Sequence, residues 1–345
     1  MKALLYHGPG RRTWEEVADP TLLEPEDAIV RVSATTICGT DLHILKGDVP
    51  EVTSGRILGH EAVGVISEVG SAVRALHPGD RVLVSCISSC GRCRYCRLGS
   101  YGQCLGGGGW VLGHLIDGTQ AESVRIPFAE RSLYTVPEQV SDESALMLSD
   151  IVPTGFEVGV LNGNVRPGDT VVVVGAGPIG LAAIKTARLF SPARIVAIDL
   201  APSRLESARD FGADVTVGPD DAIATIGEMT GGLGADVAIE AVGVPATFEL
   251  CAGLIRPGGH LANVGVHGAP VSLHLEALWS RNVTITTGLV DTSSTPMLLS
   301  MLTTAQLTTA EFVSHRFGLH EMQDAYDVFT NAAETSALKV ALFRG

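Results

Sequence analysis

Four cysteines crowd into one short segment of the sequence. Cys90, Cys93, Cys96 and Cys104 give the spacing CxxCxxCx7C within residues 86–109, a stretch with little apolar periodicity. Four thiolates at this spacing are typical of a closed tetrahedral zinc site, which has no free coordination position. A bound metal would also replace the apolar core that the segment lacks. The motif therefore predicts a structural zinc lobe, and unrelated free or disulfide-bonded cysteines are the alternative.

A second group of candidate metal ligands is dispersed along the chain. It consists of Cys38 in CGTDLH, His60 and Glu61 in GHEAVG, and Asp150. Each also has an ordinary structural explanation: Cys38 as a small buried side chain, His60 as a hydrogen-bonded turn residue, Asp150 as a solvated acid at a helix end. Sequence spacing does not show whether they converge, so a catalytic metal site is one of two interpretations at this point.

The run VVVVGAGPIG joins an apolar strand to a segment of helical period. A parallel strand that is buried on both faces explains the valines. Gly175 allows a tight turn, Gly177 lets the backbone approach a pyrophosphate, and Gly180 lets the helix pack closely on the strand. Asp199 closes the next apolar run, 24 residues after Gly175, where a carboxylate can bind the adenosine ribose. The sequence predicts a nicotinamide dinucleotide site, although GxGxxG alone also fits a glycine-rich connection in a core.

Two patterns of elements must position these residues. Up to residue 85, short β-branched segments at 28–34, 61–69 and 81–85 are separated by turns, which predicts a mostly antiparallel or barrel-like β domain. From 170 to 288, strands alternate with helical segments, as in a doubly wound α/β fold. Six strands are predicted there, at 171–175, 194–199, 214–217, 236–241, 259–265 and 283–287.

The length and the end of the chain indicate how these domains are arranged. A chain of 345 residues exceeds what one hydrophobic core usually supports, so two domains are expected. A helix is predicted at 141–148, and the boundary lies near 151–165. Residues 292–345 carry two helical patterns and an alternating segment at 338–343. We expect them to return to the first domain.

Charge and composition exclude several classes of function. The net charge of −14 opposes nucleic acid or an anionic membrane as a partner. The opening MKALLYHGPG is too short and broken for a signal peptide, and no apolar run has the length of a membrane span. Seven cysteines, four of them clustered, suit metal ligation in a reducing cytosol better than disulfides. We therefore expect a cytoplasmic protein.

The four motifs together, in their order along the whole chain, resemble those of the zinc-dependent medium-chain alcohol dehydrogenases. The resemblance implies an α/β protein with a GroES-like catalytic domain at 1–153 and 290–345 and a Rossmann domain at 154–289. It implies two zinc ions per chain, the structural ion and a catalytic ion held by three ligands. Those ligands are Cys38, His60 and Asp150. Glu61 is then a neighbour or transient ligand of the metal, and Asp41 the acid that orients the ligand histidine.

Asp150 departs from the animal and plant members of the family, in which the third ligand is cysteine. An aspartate there resembles the bacterial secondary-alcohol dehydrogenases, which often lack the four-cysteine lobe. The chain thus combines features of both branches, and neither branch supplies its substrate preference. Because a carboxylate donates less electron density than a thiolate, we expect a somewhat more Lewis-acidic zinc.

The resemblance implies reversible hydride transfer between a primary or secondary alcohol and NAD(P), giving an aldehyde or ketone. Three protein ligands leave one zinc position for the alcohol, whose pKa the metal would lower. Thr40 and His43 match the family's proton relay to solvent, although a turn hydroxyl and a surface imidazole are the alternative. Asp199 would repel a 2′-phosphate and so favour NAD, while Arg204, expected at the adenosine ribose, leaves NADP possible.

Further site residues follow from their positions in the family pattern. The cofactor-binding residues implied are Thr154, Gly175, Gly177, Pro178, Ile179, Gly180, Asp199, Arg204, Val242, Val264 and Leu289. The substrate-pocket residues implied are Thr40, Cys86, Trp110 and Leu289. An apolar wall beside one metal fits a small uncharged alcohol, aldehyde or ketone.

Two other functions fit the same sequence. One is a polyol, formaldehyde or threonine dehydrogenase of the same architecture. The other is a zinc-stabilised nucleotide-binding protein without catalysis, which is disfavoured because all three proposed ligands and both relay residues are present. Relatives form dimers or tetramers, so the resemblance implies a homodimer or homotetramer.

Overall fold

The computed structural model describes residues 1–345 and divides them into two units. Unit 1 comprises Met1–Asp150 and Asp291–Gly345, and unit 2 comprises Ile151–Val290. The expected domain borders, after residues 153 and 289, differ from these by three residues and one residue. No helix combines the length and the apolar character that crossing a membrane requires.

Sixteen strands and thirteen α-helices make up the chain. The strands are β1 (Lys2–Tyr6), β2 (Arg12–Glu16), β3 (Ala28–Thr36), β4 (Arg56–Ile57), β5 (Ala62–Val69), β6 (Arg81–Val84), β7 (Ser123–Ile126), β8 (Leu133–Thr135), β9 (Thr170–Val174), β10 (Arg194–Ile198), β11 (Val215–Val217), β12 (Ala235–Glu240), β13 (Ile255–Asn263), β14 (Thr284–Thr287), β15 (Val313–Gly318) and β16 (Lys339–Phe343). The helices are α1 (Gly39–Lys46), α2 (Arg94–Arg97), α3 (Ala129–Ser132), α4 (Asp142–Leu146), α5 (Ile151–Thr154), α6 (Pro178–Ala187), α7 (Pro202–Asp210), α8 (Pro219–Met229), α9 (Pro245–Leu254), α10 (Leu275–Leu278), α11 (Thr295–Thr303), α12 (Met322–Thr330) and α13 (Ala332–Thr335). A π-helical segment, Gly155–Leu161, continues α5.

Unit 1 is built on a largely antiparallel seven-stranded sheet with the order β15-β16-β3-β5-β6-β8, in which β7 also pairs with β3. Only β15 and β16 run parallel. The predicted antiparallel β domain is therefore confirmed. The last strand, β16, pairs with β3, so the end of the chain returns to the first unit.

The core of unit 1 explains why these segments form strands and helices. Ala28, Val30 and Val32 alternate along β3 and are fully buried, while the intervening Arg31 is exposed. Such alternation places one face of a strand on the core. Helix α12 buries Met322, Ala325, Tyr326 and Phe329, the spacing of one helical face, in a cluster that includes Ile37 and Ile44. This cluster supports α1, the helix that follows Cys38.

Unit 2 is a six-stranded parallel sheet with the order β11-β10-β9-β12-β13-β14. This is the doubly wound Rossmann order. Central strand β9 buries Val171–Val174 on both faces, as its unbroken valine run predicts. All six predicted strands are present, and the predicted fold class is confirmed.

One strand begins earlier than its sequence indicates. The sequence predicts a strand at 259–265, but β13 starts at Ile255. The difference arises because Pro257-Gly258-Gly259 has the composition of a turn. The structure retains these residues within the strand through an irregularity in the pairing with β12: Ala235 faces Ile255, and Val237 faces His260. A bulge of this kind accommodates residues that a regular ladder excludes.

Candidate active site

The dispersed candidate ligands converge in unit 1. One potential ligand atom each from Cys38, His60, Glu61 and Asp150 lies within 4.8 Å of the other three. The Oδ2 atom of Asp150 lies 3.7 Å from Cys38 Sγ and 3.4 Å from His60 Nε2. A thiolate, an imidazole and a carboxylate are suitable ligands for zinc, and three of them leave a coordination position open. The donor set therefore fits the catalytic ion that the family resemblance implies.

Local backbone features aim these side chains. Cys38 is the N-cap of α1, and its N–H donates to Asp41 Oδ2 over 2.9 Å. Gly59, before His60, has a φ of +90°, and a Cβ there would lie 2.6 Å from Gln120 Cγ. Only glycine fits that combination of left-handed backbone and close packing. The GHE and CGTD sequences thus hold their ligand side chains in place through the backbone.

A chain of buried hydrogen bonds supports the Cys38 turn. Tyr326 Oη donates to Gln120 Oε1 over 2.8 Å, and Gln120 Nε2 donates to Asp41 Oδ2 over 3.0 Å. Burial raises the pKa of Asp41, although the neighbouring His60 opposes this shift. The other oxygen of Asp41, Oδ1, has no hydrogen-bond partner. Asp41 thus acts on His60 through its charge, while its hydrogen bonds with the Cys38 N–H and Gln120 fix the turn of Cys38.

His60 lies in an environment that favours its protonated form in the absence of metal. Burial lowers its pKa, but the hydrogen bonds with Asp150 and Cys38 and the charges of Cys38 and Asp41 together outweigh burial, so the pKa is raised well above the usual value. A histidine flanked by a carboxylate and a thiol would exchange its proton for a cation that satisfies all three groups. The raised pKa of His60 therefore agrees with a group of side chains that is suited to binding a cation.

A buried ion pair adjoins the ligands and was missed in the sequence. Lys339 Nζ lies 2.6 Å from Glu61 Oε1 and donates to Ile37 O over 3.1 Å, and both charged side chains are 1% exposed. The second oxygen of the carboxylate, Glu61 Oε2, has no hydrogen-bond partner. Burial lowers the pKa of Lys339, but the charges of Glu61 and Cys38 outweigh it and the pKa is raised. The sequence feature that could have indicated this pair is a lysine within the otherwise apolar segment LKVALF.

The predicted pocket residues of unit 1 lie beside the ligands. Cys86 is buried with Sγ 3.7 Å from Asp150 Oδ1, and burial raises the pKa of its thiol well above the usual value. The ring of Trp110 meets that of His60 edge-on at 6.3 Å and stacks on His114 at 4.3 Å. Thr40 Oγ1 is 3.7 Å from Cys38 Sγ. The structure thus brings three of the four pocket candidates together.

His43 and Leu289 are the remaining relay and pocket candidates. His43 is partly exposed on α1, and its Nδ1 lies 2.8 Å from Asp48 Oδ2. This contact leaves Nε2 as the ring atom that a proton relay would use. Leu289 belongs to unit 2, beyond β14, and its side chain is 45% exposed.

The four clustered cysteines form a second potential metal site. Their sulfur atoms all lie within 4.8 Å of one another, and none forms a disulfide. Backbone N–H groups of Cys96 and Leu105 donate to Cys93 Sγ and lower the pKa of that thiol to about 6. The N–H groups of Cys90 and Gly106 donate to Cys104 Sγ. Sulfurs that accept backbone hydrogen bonds are stabilised as thiolates, the form that binds zinc.

The glycine-rich turn has the geometry that its sequence predicts. Gly175 has a φ of +96°, and a Cβ there would lie 2.5 Å from Val242 Cγ2. A Cβ on Gly180 would lie 1.8 Å from Gly175 O, so the first turn of α6 packs directly on the strand end. Gly177 is the N-cap of α6 and Pro178 its first residue, which leaves free N–H groups for an anion.

Asp199 and Arg204, which follow β10, lie at this turn. Asp199 accepts the N–H of Ala176 through Oδ2 and that of Ala201 through Oδ1, both over 2.8 Å. The Arg204 guanidinium lies 3.3 Å from the position of a Cβ on Gly177. Asp199 thus belongs to the edge of the turn, and the Arg204 side chain lies beside Gly177, the N-cap of α6.

The remaining cofactor candidates occupy the same unit. Thr154 ends α5, Ile179 lies in the first turn of α6, and both are partly buried. Val264 follows β13, and its N–H donates to Glu240 O over 2.8 Å. Val242 is 46% exposed on the loop after β12. Both valines therefore follow the carboxyl ends of central strands, where dinucleotides bind in doubly wound sheets.

Two family models match the chain. The model described as Alcohol dehydrogenase GroES-like domain matches residues 24–138, and the one described as Zinc-binding dehydrogenase matches residues 178–304. The first match covers the candidate ligands Cys38 and His60, and the second begins within the glycine-rich turn. Fold and matches together define the class as a zinc-binding dehydrogenase.

Similarity to individual known proteins identifies the family within this class. An alcohol dehydrogenase from Cupriavidus necator is 39% identical over 365 aligned positions, covering 99% of this chain and 98% of that protein. The solved apo zinc-dependent alcohol dehydrogenase 2 from Streptococcus pneumonia is 48% identical, covers 100% and 98% of the two chains and has a TM-score of 0.96. A protein described as a short chain alcohol dehydrogenase (rspB) from E. coli CFT073, solved with NADH, is 26% identical over 99% of each chain, with a TM-score of 0.89. The chain belongs to the zinc-dependent medium-chain alcohol dehydrogenase family and is an alcohol oxidoreductase.

Proposed function

We propose that this protein is a zinc-dependent, NAD-preferring dehydrogenase of small uncharged primary or secondary alcohols. The observation that carries the proposal is the convergence of Cys38, His60 and Asp150, which are far apart in sequence, within one buried donor group. Cys86 and Trp110 adjoin this group and supply a mainly apolar lining. Such a surface favours uncharged substrates over sugar phosphates.

Two zinc ions per chain are part of the proposal. Cys38, His60 and Asp150 would hold the catalytic ion, which when bound acts as a Lewis acid that lowers the pKa of an alcohol. The protein's own residues orient these ligands and exclude water from them. The four-cysteine lobe would hold the structural ion, which stabilises the segment that lacks a core.

One experiment tests this function directly. Purified protein is analysed for zinc content and assayed with a panel of alcohols, polyols, threonine, aldehydes and ketones, using NAD(H) and NADP(H). We expect two zinc ions per chain and the highest kcat/KM with a simple alcohol and NAD. Preference for a polyol, formaldehyde or threonine would reassign the substrate, and absence of turnover with both ions bound would contradict the enzyme assignment.

Proton release is proposed to use Thr40 and His43. The Thr40 hydroxyl lies near Cys38, and His43 is partly exposed on the next turn of α1. A hydroxyl that passes the alcohol proton to the cofactor ribose, followed by an imidazole that reaches solvent, would connect a dry site to water.

Replacing Thr40 with alanine is expected to lower kcat by about a hundredfold, because general acid–base relays contribute at this level. Thr40→Ser retains the hydroxyl and is the matched control, which should keep most of the activity. Steady-state kinetics on protein of verified zinc content measure the effect. Unchanged turnover in Thr40→Ala would exclude Thr40 from the relay.

The nicotinamide cofactor is proposed to bind unit 2 at the glycine-rich turn, where it supplies the hydride acceptor. The N–H groups at the start of α6, together with Arg204, would hold the pyrophosphate. Asp199 is expected to accept the ribose hydroxyls while it keeps its bonds to the turn. Its negative charge favours NAD over NADP.

Removal of the Asp199 charge is expected to lower the ratio of kcat/KM for NAD to that for NADP by about tenfold or more. Asp199→Gly removes both charge and acceptor, whereas Asp199→Asn retains an acceptor for the Ala176 or Ala201 N–H. A similar change in both variants would assign the preference to charge. An unchanged ratio in both would show that other residues select the cofactor.

A homodimeric or homotetrameric assembly in the cytoplasm is also proposed. Strand β14 is an edge strand of the sheet in unit 2. Near it in sequence, Trp279 is 79% and Leu275 60% exposed. Unpaired edge groups and large exposed apolar side chains together favour covering by another chain.

A further inference from the structure

Glu240, the last residue of β12, is a fully buried carboxylate in unit 2, and no basic side chain except His267 lies near it. Burying a carboxylate is unfavourable unless hydrogen bonds replace its hydration. Here the replacement is concentrated on one oxygen. Oε1 accepts the N–H of Val242 over 2.9 Å, the N–H of Gly243 over 2.8 Å and the hydroxyl of Thr247 over 2.7 Å. The side chain therefore fixes the start of the loop that leads from β12 into α9.

The same residue also holds the loop after β13. Its carbonyl oxygen accepts the N–H groups of Val264 over 2.8 Å and Gly265 over 3.1 Å. Its second carboxylate oxygen, Oε2, lies 3.5 Å from His267 Nε2, which in turn lies 2.8 Å from Asn263 Oδ1. One residue thus connects two loops at the carboxyl edge of the sheet, 241–244 and 264–267, which we call the loop pair.

The loop pair is packed without space for adjustment. A Cβ on Gly243 would lie 2.2 Å from Val266 O, and a Cβ on Gly265 would lie 2.2 Å from Gly243 N. Val242, carried by the first loop, would lie 2.5 Å from a Cβ on Gly175. A small movement of the first loop would therefore shift Val242 against the glycine-rich turn.

We propose that Glu240 is a positioning residue for cofactor binding: the hydrogen bonds accepted by its buried carboxylate hold the loop pair, and through Val242 the glycine-rich turn, in the binding conformation. The inference rests on the proposed nicotinamide cofactor. The length of the side chain is the decisive property, because the carboxylate must extend to two consecutive N–H groups and one hydroxyl. The negative charge itself is dispensable for that purpose.

Two conservative variants distinguish the effect of side-chain length from that of negative charge without opening a large cavity. Glu240→Asp keeps the charge but withdraws the acceptor by one methylene group, whereas Glu240→Gln keeps the length and one carbonyl acceptor. We expect Glu240→Asp to weaken NADH binding about tenfold, since the N–H groups of Val242 and Gly243 lose their acceptor, and Glu240→Gln to remain within about threefold of the wild type. NADH fluorescence titration measures both.

A kinetic readout distinguishes positioning from general destabilisation. In Glu240→Asp, KM for the cofactor should rise while kcat at saturating cofactor stays within about twofold and zinc content is unchanged. Asp236→Asn is the matched control at the opposite end of β12, where the carboxylate accepts the Thr170 N–H over 2.7 Å and pairs with Arg256 at 2.6 Å. This control should lower the Tm and leave NADH affinity unchanged.

Wild-type NADH affinity in both Glu240 variants, or equal weakening in both, would overturn the positioning role. Failure of the wild-type protein to bind NADH or NADPH would refute the proposed cofactor and this inference together. The wild-type titration therefore separates the failure of one from the failure of the other.

Discussion

Replacing Cys38 with alanine is expected to remove one zinc ion per chain and to lower kcat/KM by at least about a thousandfold, because a catalytic metal contributes several kcal/mol of charge stabilisation. The thiol lies 3.7 Å from Asp150 Oδ2, at the centre of the donor group. Without it, the bound ion would lose the softest of its three proposed ligands. The four-cysteine lobe should keep its own ion, so zinc analysis gives one ion per chain in the variant and two in the wild type.

Cys251→Ala is the matched control for this experiment. Cys251 is fully buried, and it lies on α9 in an apolar cluster, with no candidate metal ligand in its group. Its truncation should cost about 1 kcal/mol of stability and leave zinc content and turnover unchanged. Two zinc ions in Cys38→Ala would place the second ion elsewhere, and full activity with one ion would mean that the dispersed residues hold no catalytic metal.

Contiguous motifs were the features that the sequence could predict. CxxCxxCx7C and GAGPIG each bring their chemistry together within one short segment, so spacing alone describes the site. The doubly wound fold of unit 2 was predictable from the alternation of strands and helices along the chain. The dispersed ligands became predictable only through the family resemblance, because Cys38 and Asp150 are separated by 112 residues.

Buried polar partners were not predictable in this way. Lys339 pairs with Glu61 across 278 residues, and Tyr326 with Gln120 across 206. Before the fold is known, a lysine in a strand or a tyrosine in a helix has many possible environments. Glu240 lies within a strand that the sequence predicts. Its role, however, depends on the following loop, whose N–H groups donate to the Glu240 carboxylate. Burial and bond direction are properties of the folded chain.

The Lys339–Glu61 pair supplies the second large prediction. Replacing Lys339 with methionine keeps most of the length of the side chain but leaves Glu61 as an uncompensated buried carboxylate. Breaking a buried pair in this way costs about 3–5 kcal/mol. We therefore expect a marked fall in Tm. Exposed Lys46→Met on α1 serves as the control and should change the Tm little.

The functional effect follows from the position of the carboxylate. A Glu61 oxygen lies within 4.8 Å of the ligand atoms of Cys38, His60 and Asp150, and Oε2 has no hydrogen-bond partner. With the lysine removed, the bound metal is the remaining cation that can neutralise Glu61. Coordination by Glu61 would occupy the position that the alcohol needs, and we expect kcat/KM to fall by about thirtyfold or more with zinc retained.

The double variant Lys339→Met with Glu61→Gln distinguishes this mechanism from simple unfolding. Removing the second charge eliminates the uncompensated carboxylate, so both Tm and kcat/KM should recover most of their loss, as replacement of both members of a buried pair often does. Cobalt substitution provides a separate readout, because a fourth protein ligand would change the visible absorption of Lys339→Met and the double variant would restore it. Persistent inactivity of a stable double variant would show that Lys339 acts on catalysis by a route other than holding Glu61 away from the metal.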